Sequence, residues 1–220
     1  MTYKCSNRQM VVFPINAPAG PAGPTGATGP APFQVFQSQA ALATSITVSG
    51  VVAGHFLAVL CNNSNAITAC SDGAGNTYTK ACGAGPTDGT YGSLYISKIT
   101  TGGNLTVTFA GTASYANIAV LEFAATLAGT VDVSGTATTP SAVVLTTTGA
   151  NEVVITGIAF SHSANAATAG IAPVVMAIGI NTSDANALGS FFASIAGRYS
   201  CNFSLNGTIT DGIVLAAAIV

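Results

Sequence analysis

Two histidines, seven carboxylates and five cysteines are the residues of this 220-residue chain that could do chemistry. Nucleophilic catalysis needs a hydroxyl or thiol beside a base that a third group orients. His55 follows Gly54 at the start of an apolar run, which suits a rim or core histidine. His162 falls in a Ser/Asn-rich stretch after Glu152–Ser161, and no nucleophile pattern accompanies it. Sugar hydrolysis needs two carboxyls about 5–10 Å apart across the bond. The acids are Asp72, Asp88, Glu122, Asp132, Glu152, Asp184 and Asp211, and their spacing singles out no pair. Asp72-Gly73-Ala74-Gly75-Asn76 has a superficial likeness to a calcium loop, yet lacks the further carboxylates that a shell of about six to eight oxygens demands. Asp and Asn capping a Gly-rich turn with their own side chains fits it better.

The cysteines are Cys5, Cys61, Cys70, Cys82 and Cys201, with no CxxC pair to suggest zinc. Cys61, Cys70 and Cys82 bracket one loop-rich region. They read either as buried free thiols acting as small hydrophobes or as containing one bridge. Cys5 is a candidate crosslinking thiol. No GxSxG, HExxH, P-loop or dinucleotide fingerprint occurs. The expectation is a non-enzymatic chain with no cofactor and no metal.

The elements that carry these residues read as strand after strand. Apolar residues are 49% of the chain and charged residues 5%, against roughly 25% charged in an ordinary soluble domain. The formal charge is −2 with no basic cluster, which argues against nucleic acid as a partner. No apolar run approaches the roughly 20 residues that span a bilayer, so no membrane insertion is expected. Short runs rich in β-branched and aromatic residues recur at 33–37, 46–52, 55–61, 77–81, 93–100, 105–110 and 118–123. They continue at 142–147, 152–161, 174–180, 191–196, 199–205 and 212–220, with Gly, Asn, Asp or Ser between them. Leu105-Thr106-Val107-Thr108-Phe109 alternates as a half-buried strand should. Ala164–Gly170 and Ala185–Gly189 are Ala-rich and read as short helical turns or loops. This pattern predicts an all-β, two-sheet antiparallel sandwich of jelly-roll type over residues 33–220. The final run, 212–220, reads as a strand of its own sheet, with donation to a neighbour the alternative.

Two segments precede the sandwich. Residues 1–16 form an extension holding the apolar patch Met10, Val11, Val12 and Phe13, and they lack the apolar stretch of a secretory signal. In residues 17–32 glycine recurs every third position, at Gly20, Gly23, Gly26 and Gly29. Three polyproline-II chains can share an axis only with glycine at every third residue. The segment therefore predicts either a collagen-like neck on the order of 35 Å long or a stiff single-chain linker. It is too short to hold three chains together alone, so a trimer would need the sandwich.

The run Ser71-Asp72-Gly73-Ala74-Gly75-Asn76-Thr77-Tyr78-Thr79 resembles the "D-x-x-G-N-T-Y-T" turn of a loosely defined family of β-sandwich domains. It is followed, as in that family, by Leu94-Tyr95-Ile96-Ser97-Lys98, by Gly103-Asn104-Leu105-Thr106-Val107-Thr108-Phe109 and by Ala119-Val120-Leu121-Glu122-Phe123. These domains occur in bacterial exported proteins and phage virion proteins, and the resemblance implies a fold but no catalytic residues. Pro24-Thr25-Gly26-Ala27-Thr28-Gly29 is similar to the collagen-like repeats of spore-surface glycoproteins and phage fibres, in which a Gly-x-y stalk presents a trimeric β-domain. The resulting expectation is a homotrimeric structural protein on a virion surface, a capsid decoration or fibre. Its residues 1–16 would dock on other virion proteins. A bacterial or spore surface filament subunit is one alternative. A carbohydrate-binding module is another, with Tyr78, Tyr91, Tyr95 and Tyr115 as candidate contacts to a host glycan.

Overall fold

The computed structural model describes residues 33–87, 89–111, 116–138, 141–161, 167–169, 175–180, 184–201, 203–205 and 212–220. The extension with Cys5, Met10, Val11, Val12 and Phe13, the neck glycines Gly20, Gly23, Gly26 and Gly29, and also Tyr115 and His162 lie outside them. Among the described residues the chain is all-β, with antiparallel pairing throughout and no helix.

The first half contains β1 (Phe33–Ala41), β2 (Ser45–Val51), β3 (Phe56–Asn63), β4 (Ala69–Asp72), β5 (Thr79–Thr87), β6 (Thr90–Lys98), β7 (Gly103–Ala110) and β8 (Asn117–Ala125). They form a five-stranded sheet in the order β1-β8-β3-β6-β5 and a three-stranded sheet β2-β7-β4. The nested pairs β1/β8, β2/β7 and β3/β6 are those of one long hairpin rolled into two layers, the jelly-roll arrangement. The alternation in β7 appears as expected: Leu105, Val107 and Phe109 point into the core and the intervening threonines point out.

The second half contains β9 (Val131–Thr138), β10 (Val143–Thr146), β11 (Glu152–Ser161), β12 (Ala167–Ala169), β13 (Val175–Ile180), β14 (Asp184–Ala193), β15 (Arg198–Cys201), β16 (Phe203–Leu205) and β17 (Ile213–Ile219). Its five-stranded sheet has the order β9-β17-β11-β14-β13, and β10 pairs with β15 while β12 pairs with β16. Strands β15 and β16 are separated by a single residue and together take the place that β7 holds in the first half. The sandwich is thus built twice with one topology.

Register makes the correspondence specific. Phe123 pairs with both Phe56 and Val35, and Ile219 pairs with both Val153 and Val131. In each lobe the strand next to that residue then skips one position, at Phe36 in β1 and at Asp132 in β9. A β-bulge adds a residue and turns the edge locally, and it stands at the same place in both lobes. The turns into β3 and β11 also match, with Gly54 at φ 92° and Asn151 at φ 63°.

The two five-stranded sheets lie face to face. β1 packs on β13, β5 on β9, β8 on β14, β6 on β17 and β3 on β11. β1 thus meets the counterpart of β5 while β5 meets the counterpart of β1, β8 and β6 exchange in the same way, and β3 meets its own counterpart, which is the isologous pattern of a two-fold axis. That axis runs along β3 and β11, so both lobes point the same way. The face between them is the central core, with Phe56, Leu60, Leu94, Leu121, Phe123, Ile155, Leu188 and Leu215 fully buried. At roughly 1.5–3 kcal/mol for each large apolar side chain removed from water, this face is a major source of stability. Two outer cores close the stack. One lies between the sheets of the first lobe around Val59, Ile99, Val107 and Phe109, and one lies in the second lobe around Leu145, Val154, Phe160 and Cys201. The inner sheets are covered on both faces, which explains the apolar runs Phe56–Cys61 in β3, Val153–Ile155 in β11 and Ile213–Ile219 in β17. It also explains how so few charges suffice.

Some elements differ from the expectation. β4, β9 and β12 carry no strong strand signal, and Ala185–Gly189 lies inside β14 rather than in a helical turn or loop. Ala, Asn and Gly have low strand propensity, but β14 is held between β11 and β13, and pairing on both edges overrides it. The last strand, β17, sits in its own sheet between β11 and β9. Its end is tied to the connection between the lobes, with the Gly129 N–H donating to the Val220 carbonyl at 2.7 Å.

Candidate interaction surface

The end of the molecule where β1 begins gathers the side chains that stand out from plain packing. The bulge turns Phe36 outward, leaving it 48% exposed, and its ring rests on His55 with centroids 4.3 Å apart. The His55 Nδ1–H donates to Glu122 Oε1 at 2.7 Å. The Val52 N–H donates to the same oxygen at 3.0 Å, and Gln37 Nε2 donates to Oε2 at 2.5 Å. Gln37 also donates to the Ser49 carbonyl at 2.9 Å. Glu122 lies in β8 and is 1% exposed, and the three groups that meet its oxygens satisfy it as burial of a polar group requires. The cluster fixes the turn 52–55 against β1 and β8. Above it lie Phe36 and Val52, each 48% exposed. Chemically it is a hydrogen-bonded hub under an apolar patch.

The second lobe shows what the same place looks like without that patch. The bulge residue there is Asp132, which accepts the Thr148 N–H at 2.9 Å and the Thr148 hydroxyl at 2.6 Å. The position of His55 is taken by Glu152, which is fully buried and accepts the Gly149 N–H at 2.7 Å. Burial foremost, and then the neighbouring Asp132 carboxylate, push the Glu152 carboxyl above the ordinary range. The Thr148 hydrogen bonds hold Asp132 below it.

The turn 72–78, on which the family resemblance rests, is structural. Asp72 accepts from Ala74 N–H, Asn76 N–H, Asn76 Nδ2 and the Tyr78 hydroxyl. Asn76 Oδ1 accepts from Thr100 N–H, the Thr100 hydroxyl and Thr101 N–H, which clamps the turn to the β6–β7 connection. The Asp72 oxygens are thereby engaged by the turn's own donors, as expected for a capped turn rather than a calcium loop.

The tyrosines proposed as glycan contacts are placed differently from one another. Tyr95 is 2% exposed inside the first outer core, so burial removes its ring from any sugar face. Tyr78 packs on that core with its hydroxyl given to Asp72, and Tyr91 packs partly against it. Cys61, Cys70, Cys82 and Cys201 are free thiols. Burial pushes Cys82 and Cys201 up to about 12, and Cys61 is pushed up by burial and then by the adjacent Cys70 thiol. Thiols held in this state are small hydrophobes, not nucleophiles.

Sequence reading missed the Phe36–His55–Glu122 cluster. The residue types were visible, but a bulge has no reliable sequence signature, and without it Phe36 continues an ordinary strand pattern. Comparison with known proteins adds no relative: no family model matches the chain, and neither a curated protein nor a solved structure matches it.

Proposed function

We propose that this chain is a non-catalytic structural protein of a virion exterior, a homotrimeric capsid decoration or fibre subunit of a phage. Residues 1–16 anchor it to other virion proteins, residues 17–32 act as a spacer, and the twin sandwich is the displayed body. The observation that carries the reading is where the Gly-x-y segment joins the body. It runs directly into Phe33, the first residue of β1, and the inner strands of both lobes run along one axis from that end. A stalk attached there would continue the long direction of the strands. Jelly rolls recur in viral capsid proteins and lectins, which supports the reading by analogy of fold.

The test is the absolute mass in solution by light scattering, for the full chain of 21.6 kDa and for a version lacking residues 1–32. Each is expected at three times the mass of its single chain. A monomer in both would remove the trimeric reading.

A further inference from the structure

Among the described residues, Phe36 and Val52 are two of the few large apolar side chains left exposed, and they are joined through His55. We propose that this patch is the contact between copies of the chain, so that each copy's Phe36 and Val52 are covered by a neighbouring copy. The proposal rests on the trimeric reading above and names its surface.

The two lobes are asymmetric at the bulge. The fold needs no apolar side chain at the bulge, because the sister bulge carries Asp132, which is solvated and satisfied by Thr148. An exposed phenylalanine at one of two equivalent places is therefore not imposed by the architecture. The patch also lies close to the start of the body. Residues 1–32 join the body at Phe33, three residues before Phe36, or roughly 10 Å of extended chain. Copies gathered by their Gly-x-y segments would have these patches within reach of one another. The patch is also held rigidly. The Glu122 hub fixes both the bulge and the turn 52–55, so little side-chain freedom is lost on contact. Two side chains are far below the roughly 1,000 Å² of a stable interface, so the patch acts as the central anchor of a wider contact between the bodies.

The test uses the full chain. Phe36→Asp copies the sister lobe and should leave the thermal midpoint within a few degrees. It should weaken trimerisation by about 30-fold or more per contact, the scale of an interface hot spot, read by light scattering across a dilution series. Leu42→Asp removes another exposed apolar side chain, beyond the opposite end of β1, and should leave the mass unchanged. Phe36→Trp introduces an indole into a chain that has no tryptophan, and its emission should be blue-shifted and shielded from acrylamide in the trimer. A wild-type trimer with an unchanged Phe36→Asp mass and a quenchable indole in the Phe36→Trp variant overturns the patch while leaving the trimer standing. A wild-type monomer overturns the trimer itself. A shielded indole in a monomeric Phe36→Trp protein would assign the patch to the chain's own residues 1–16 and also overturns the proposal. If Phe36→Asp fails to fold, quenching of the Phe36→Trp variant decides.

Discussion

Asp72 and Glu152 are carboxyls whose surroundings push in opposite directions. Burial pushes Asp72 up, but the donors from Asn76, Tyr78 and Ala74 outweigh it and hold the group below the ordinary carboxylate range. A group whose folded pKa is lowered contributes stability above its unfolded pKa and loses it as pH falls through the folded value. The melting advantage of the wild type over Asp72→Asn should therefore shrink as pH is lowered from about 4. Glu152 is raised, so its contribution is full below its unfolded pKa and is lost as pH rises through the folded value. Glu152→Gln keeps the acceptor for the Gly149 N–H and presents an N–H in the direction of Asp132. Its melting temperature should gain on the wild type as pH rises above about 4. A difference that stays flat with pH would remove the raised carboxyl from the account. Asn76→Ala strands the Thr100 and Thr101 N–H groups together. It should cost roughly 1–3 kcal/mol in urea unfolding, the scale of a few lost part-buried hydrogen bonds.

At the scale of elements, the lobe interface is where the two copies of the topology have had to diverge. Leu60 in β3 and Gly157 in β11 hold corresponding places on the pseudo-two-fold axis and touch each other. A Cβ built on Gly157 would lie 3.0 Å from a Leu60 methyl. Two leucines there would collide, and two glycines would leave a cavity. Gly157→Leu should destabilise the protein by about 3 kcal/mol, as overpacking does, and adding Leu60→Gly should recover part of the loss in a double-mutant cycle. Additive losses would mean that the two positions do not share one space. This interface was hardly legible in the sequence. The strands of the inner sheets were, because Phe56–Leu60, Val153–Ile155 and Val214–Ile219 are apolar without a break. The duplication was not. Its signature is register and bulge position, at Val35/Val131 and Phe123/Ile219, and the side chains at matched places, such as Phe36 with Asp132 or His55 with Glu152, share no chemistry. The weak strands β4, β9 and β12 were missed for a related reason, since they are specified by their neighbours more than by their own residues.

Across the whole molecule, the central core decides how the twin body unfolds. Its residues come about equally from both lobes, and neither lobe can leave without exposing Phe56, Leu60, Leu121 and Phe123 on one side or Ile155, Leu188 and Leu215 on the other. An exposed sheet face of that size is far more apolar than a soluble surface tolerates. The lobes are also tied by polar contacts, with Asn62 Nδ2 donating to the Phe160 carbonyl at 3.1 Å and the Ser134 hydroxyl donating to the Ala81 carbonyl at 2.8 Å. Separate outer cores would favour two transitions, but the shared face couples them, and the coupling is large compared with the few kcal/mol that separate folded from unfolded in any domain. A single calorimetric transition is therefore expected, with a calorimetric enthalpy of about 130 kcal/mol of chain at roughly 60 °C for a body of this size. Leu215→Ala, which opens the shared face from the second lobe, should lower the midpoint of that one transition. It should not split the transition in two, because the first lobe packs on the same side chain. Two resolved peaks in the wild type would mean that each outer core sustains its lobe alone, and the face between them would then be a contact between independent domains.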